Sequence, residues 1–102
     1  MDMSKSWDSA TYKISALKDE PALDITDSPL KYTLNDDNAF VSFQNNGDSP
    51  VWIGGSSVDA DTKRGHVLYP TDSQSWEIIL EEVYFYFQCA TGETSTISII
   101  KG

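Results

Sequence analysis

From Val83 to Ala90 the chain carries apolar or aromatic side chains on both sides of its backbone. Val83, Phe85, Phe87 and Cys89 fall on one face, and Tyr84, Tyr86, Gln88 and Ala90 on the other. Such a run is a strand that has to be covered twice, or else it offers its aromatics to a partner. With 102 residues there is room for one core, which buries roughly 60–65% of the unfolded chain's surface. The second face of this strand is therefore expected to meet another subunit.

The rest of the chain repeats short alternating stretches divided by turn signals. Thr11 to Leu17 alternates Tyr12, Ile14 and Ala16 with Thr11, Lys13 and Ser15, the pattern of a half-buried strand. Pro21 and Pro29 punctuate the next stretch, leaving Ala22 to Thr26 and Leu30 to Leu34 as strands, and Asn35 to Asn38 reads as a turn. Val41 and Phe43 share one face of Ala39 to Asn45. Asn46-Gly47-Asp48-Ser49-Pro50 then predicts a hairpin reversal into Val51 to Ile53, because Asn-Gly favours tight two-residue turns. Gly54-Gly55 reads as a second tight turn, placed where the backbone takes positive φ or another segment passes close. Beyond a polar loop from Asp59 to Arg64, further strands are expected at His66 to Leu68, Gln74 to Leu80 (Trp76, Ile78 and Leu80 on one face), Val83 to Ala90 and Thr96 to Ile100. No stretch has helical periodicity. About eight short antiparallel strands predict an all-β domain, a single small β-sandwich of jelly-roll or Ig-like form, over residues 11–102. Met1 to Ala10, polar apart from Trp7, reads as a flexible N-terminal arm.

Charge and cysteine usage narrow the partners. Seven Lys and Arg against 16 Asp and Glu give a formal charge of −9, which repels phosphate backbones and anionic lipid, so neither nucleic acid nor membrane is an expected partner. Cys89 alone cannot close an internal disulfide, which points to a reducing compartment or a particle assembled in one. The polar start has no signal-peptide pattern, and no apolar run reaches the roughly 20 residues of a membrane helix.

Catalytic constellations are not found. His66 is the one histidine, and no Ser stands at a nucleophile spacing from it. Asp59, Asp61 and Gly65 lack the full spacing of a cation loop, and Gly54-Gly55-Ser56 lacks the Lys and helix of a phosphate loop. The chain reads as a non-enzyme with no cofactor and no metal. Its candidate partner-binding residues are Trp7, Trp52, Tyr84 and Tyr86. Trp52 points away from the inward Val51 and Ile53, and an aromatic with nothing of its own to bury is a natural interface anchor.

The order N-N-G-D-S-P-V-W-I-G-G-S-S-V, G-H-V-L-Y-P, an S-x-S-W-E-I strand, V-Y-F-Y-F-Q-C-A-T-G-E-T and S-T-I-S-I-I, from Ala39 to Ile100, resembles small tailed-bacteriophage virion proteins. These share a V-(aromatic)-I-G-G-S-x-V, G-x-x-L-x-P, aromatic-Y-A, G-T and I-x-V pattern. This chain departs from it at Tyr86-Phe87-Gln88-Cys89 and in an inserted-looking Asp61 to Arg64. The resemblance implies a virion structural module, a capsid decoration (cement) protein or a head- or tail-fibre component. Such a module is often trimeric, binds coat or fibre subunits and is assembled in the host cytoplasm. A glycan-binding, host-attachment module is the alternative, with Trp52, Trp76, Tyr84 and Tyr86 as a stacking platform for sugar rings.

Overall fold

Inward and outward side chains sort by alternation in the computed structural model, which describes residues 18–35, 40–78 and 82–102. The strands are β1 (Lys18–Ile25), β2 (Leu30–Asn35), β3 (Phe40–Asn45), β4 (Val51–Gly54), β5 (His66–Leu68), β6 (Ser73–Glu77), β7 (Glu82–Gln88) and β8 (Ser95–Lys101). They pair antiparallel as two four-stranded sheets, ordered β1-β8-β3-β6 and β2-β7-β4-β5. Of the two sandwiches expected, this is the jelly roll. The first and last strands are neighbours, and every connection but β4–β5 crosses from one sheet to the other, where an Ig-like fold would pair its first two strands. The arm with Trp7, the strand expected over Thr11 to Leu17, residues 36–39 and Leu80 lie outside the described residues.

The core lies between the sheets, built from Val41, Phe43, Ile97 and Ile99 on one side and Leu34, Val51, Ile53, Phe85 and Phe87 on the other. Phe43 is its hub. Its ring meets Phe85 at 4.9 Å, Phe87 at 5.0 Å and Tyr32 at 5.8 Å, all edge-to-face, the arrangement that ring quadrupoles favour.

Beyond shifts of a few residues at strand ends, two features differ from expectation. Pro21 does not exclude the residues before it from β1; the pairing with β8 instead shifts between Glu20 and Leu23. An edge strand tolerates a residue without an N–H at such a bulge. Next to it Glu20 forms an ion pair with Lys101 at 2.9 Å. The second difference is larger: β3 and β4 form no hairpin. β3 pairs with β6 and β8, β4 with β5 and β7, so Asn46 to Pro50 arches from one sheet to the other.

Asn45 is the reason. It lies in phase with Val41 and Phe43, faces inward and is fully buried. Its Nδ2 donates to the Ser49 and Leu68 carbonyls, each at 2.8 Å, while its Oδ1 accepts from Gly47 N at 3.0 Å and Ser95 Oγ at 2.6 Å. The side chain thus winds the arch around itself and ties it to β5 and β8. Within it, Gly47 meets a requirement of space, not of conformation: a Cβ there would stand 2.6 Å from the Thr96 amide nitrogen. Gly54 and Gly55 do not take positive φ; Gly65 does, at +111°, where a Cβ would lie 2.7 Å from the Ile53 carbonyl oxygen.

Candidate binding face

The outer face of the β2-β7-β4-β5 sheet gathers three of the four expected anchors. Trp52 stands between Val67 of β5 and Gln88 of β7, Gly54 lies beside Tyr86, Tyr86 beside Lys31, and Tyr84 beside Thr33. Alternation places them there, since Val51, Ile53, Phe85 and Phe87 take the inward positions. Trp52 and Tyr86 are half-buried, and Tyr84 is 46% exposed.

The chain itself roofs part of this face. The β4–β5 loop, 55–65, folds back over the sheet. A Val58 methyl lies 3.5 Å from where a Gly54 Cβ would stand, and Ala60 N donates to Gln88 Oε1 at 2.9 Å. Val58 and Ala60 are both buried. Gln88 Nε2 in turn donates to the Asp27 carbonyl at 2.8 Å. Asp61 accepts from Thr91 N at 3.1 Å and Thr91 Oγ1 at 2.6 Å, donors that hold its carboxyl below the usual range. Asp59 Oδ1 accepts from the Asp61 and Thr62 amides. The aspartates that vaguely suggested a cation loop are therefore spent on fastening this loop, and among the described residues no three His, Cys, Asp or Glu gather to hold a metal.

Tyr84 lies beyond the roof. The Lys31 ammonium sits 3.9 Å from its ring centroid, a cation–π contact, and its hydroxyl donates to Glu82, which raises the phenol's pKa. Sequence reading missed Lys31, although alternation in β2 sends it to the same side as Thr33. It also passed over Tyr69, just past β5 and 57% exposed. Trp76 faces the core side, its ring 5.7 Å from Phe85.

His66 is exposed at the start of β5, and Cys89 is buried just past β7. Burial, with help from Glu93 and Asp27, pushes the Cys89 thiol from its ordinary value near 9 to about 11. In the unfolded chain this proton leaves first, so the contribution to stability is complete below about pH 9 and is lost as the pH climbs toward 11. Urea midpoints are expected to fall across that window, and less steeply in Cys89→Ala. Iodoacetamide should leave the folded thiol unlabelled at pH 8 and modify it on unfolding; labelling of the native protein would contradict the burial.

Comparison of the chain with protein-family models, with curated proteins and with solved structures finds no match. Among the described residues no helix is long and apolar enough to cross a membrane.

Proposed function

We propose that the chain is a non-enzymatic structural module of a bacteriophage particle, a capsid decoration or fibre-associated protein. In this reading it binds coat or fibre subunits through the open part of the β2-β7-β4-β5 face and works as a homo-oligomer, a trimer by the resemblance of Ala39 to Ile100. The observation that carries the binding face is Tyr84: a large ring, 46% exposed, pinned by Lys31 on one side and by Glu82 at its hydroxyl. An anchor already held in one rotamer loses little entropy when a partner closes on it. The net charge of −9 favours a basic patch on that partner, with encounter slowing as salt rises. Trp7 is the second anchor proposed, in the arm.

Sugar stacking needs a bare ring face, and Lys31 occupies one face of Tyr84. That leaves one face of Tyr84, and with Trp52 and Tyr86 half-buried and Trp76 turned to the core the platform for a glycan is reduced, which favours a protein partner. A jelly roll serves capsid and lectin domains alike, so the fold does not choose between them.

The test is co-sedimentation with particles assembled from the coat protein encoded in the same genome. Tyr84→Ala, and separately removal of residues 1–10, should each weaken binding by about 1–3 kcal/mol. Tyr84→Ala should leave the melting temperature nearly unchanged. Trp52→Ala should lower binding and stability together, because this residue is half-buried. Sugar binding by the parent on a glycan array, abolished by Trp52→Ala and indifferent to the arm, would replace the particle reading with the glycan one.

A further inference from the structure

A sandwich has four edges, and here they are unequally guarded. β5 is three residues long, and β1 carries Pro21, a register shift and four charged side chains, Lys18, Asp19, Glu20 and Asp24. Short length, proline, bulges and charge are the means by which edges refuse further strands. Among the described residues β2 has none of these devices except Lys31, and β6 none except Glu77; β2 is the longer of the two, six residues from Leu30 to Asn35 in unbroken register with β7. β1 and β2, joined only by residues 26–29, are edges of opposite sheets on one flank. On that flank Leu23, Leu30 and Tyr32 are only partly buried against the core.

We infer that the β2 edge receives the segment Thr11 to Leu17 of a second copy of this chain as an added antiparallel strand. The segment matches the site. Tyr12, Ile14 and Ala16 would lie over Leu23, Leu30 and Tyr32, while Thr11, Lys13 and Ser15 continue the outward row of Lys31 and Thr33. Main-chain hydrogen bonds supply the pairing and alternate side chains the fit, as in other strand additions. Charge agrees as well: residues 1–17 hold two Lys and two Asp, so the whole formal charge of −9 sits on residues 18–102, and the only charge between 11 and 17 is Lys13.

Chain direction makes the donor a different copy. β1 begins at the end of the sandwich where β2 finishes, since the short 26–29 connection joins their other ends. An antiparallel strand on β2 would finish beside Leu30, about 20 Å away for a six-residue strand. Leu17 is covalently bonded to Lys18, and consecutive Cα atoms are about 3.8 Å apart, so a chain cannot donate this segment to its own β2 in that direction. Passed from each copy to the next, the segment closes a ring, or a pair when the exchange is mutual.

This inference can be tested apart from the particle reading, because the substitutions fall at Tyr12 and Ile14 and leave Tyr84, Lys31 and Glu82 in place. The full chain is compared with Tyr12→Asp/Ile14→Asp by sedimentation velocity over a hundredfold concentration range, with amide hydrogen exchange on both. The parent should sediment as a closed oligomer and the variant as a monomer with an unchanged circular dichroism spectrum. Amides of Leu30 to Asn35 should exchange at least tenfold more slowly in the parent. A monomeric parent overturns the inference, whether or not its β2 is protected, and so does an oligomer that the two aspartates leave intact. If the variant loses its sheet spectrum, Lys13→Pro, which removes one amide from the added strand, provides the same readout.

Discussion

Asn45→Ala is expected to cost about 3–5 kcal/mol, because it strands four partners at once, two buried and two part-buried, each worth about 1–3 kcal/mol when buried and left unpaired and partly recovered by water entering the vacated space. These are the Ser49 and Leu68 carbonyls, the Gly47 amide and the Ser95 hydroxyl. For a domain whose whole stability is about 5–15 kcal/mol, the result is a protein on the verge of unfolding, visible in a urea titration as a shifted midpoint. Asn45→Asp separates hydrogen bonding from volume. It keeps the shape but turns a double donor into a carboxylate facing two carbonyl oxygens. Burial would raise that carboxyl's pKa, so the variant should be least damaged below about pH 4, where the acid is protonated folded and unfolded, and progressively worse as pH rises. A pH-independent loss would mean that packing, not the donor pair, matters at this position.

Phe43→Ala should be comparably severe, about 3–5 kcal/mol, the range for deleting a buried aromatic side chain. The residue is fully buried and holds rings from β2 and β7 against β3, so the cavity would open at the point where the sheets are pinned together. Phe43→Leu keeps most of the volume and should cost appreciably less. Equal losses in the two variants would show that ring geometry outweighs volume there.

Much of this architecture could be read from the chain because alternation is a local property. Val41 and Phe43, Ile97 and Ile99, and Phe85 and Phe87 are each identified as inward by their immediate neighbours, and all are buried. Pairing is not local. Asn46-Gly47 is a good hairpin signal, yet whether two strands join edge to edge or face to face depends on what else competes for their edges, here β5, β6, β7 and β8. The clue in the chain was Asn45, an amide at an inward position beside the turn. A buried amide must find partners, and the arch provides them. Nor did composition reveal that the polar Asp59 to Arg64 loop folds over β7, since the contacts that hold it, Gln88 and Thr91, lie far along the chain. Of the candidate anchors, Trp52, Tyr84 and Tyr86 share a face because one alternation rule in β4 and β7 places them there, whereas their unequal exposure comes from that loop.

The position of β8 also bears on how the domain is made. It lies between β1 and β3, and β1 has no other partner in its sheet. Until Lys101 emerges from the ribosome, β1 lacks its partner among the described strands and β3 presents an open edge. At about 5–20 residues per second, the interval between synthesis of Lys18 and Lys101 is roughly 4–17 s, far longer than a hairpin needs to form. The pairings that need only residues up to Gln88, β3–β6, β4–β5, β4–β7 and β2–β7, can therefore form first, while β1 waits for β8. The β1-β8-β3-β6 sheet is complete only once β8 inserts between β1 and β3, and a net charge of −9 opposes association of neighbouring copies until then.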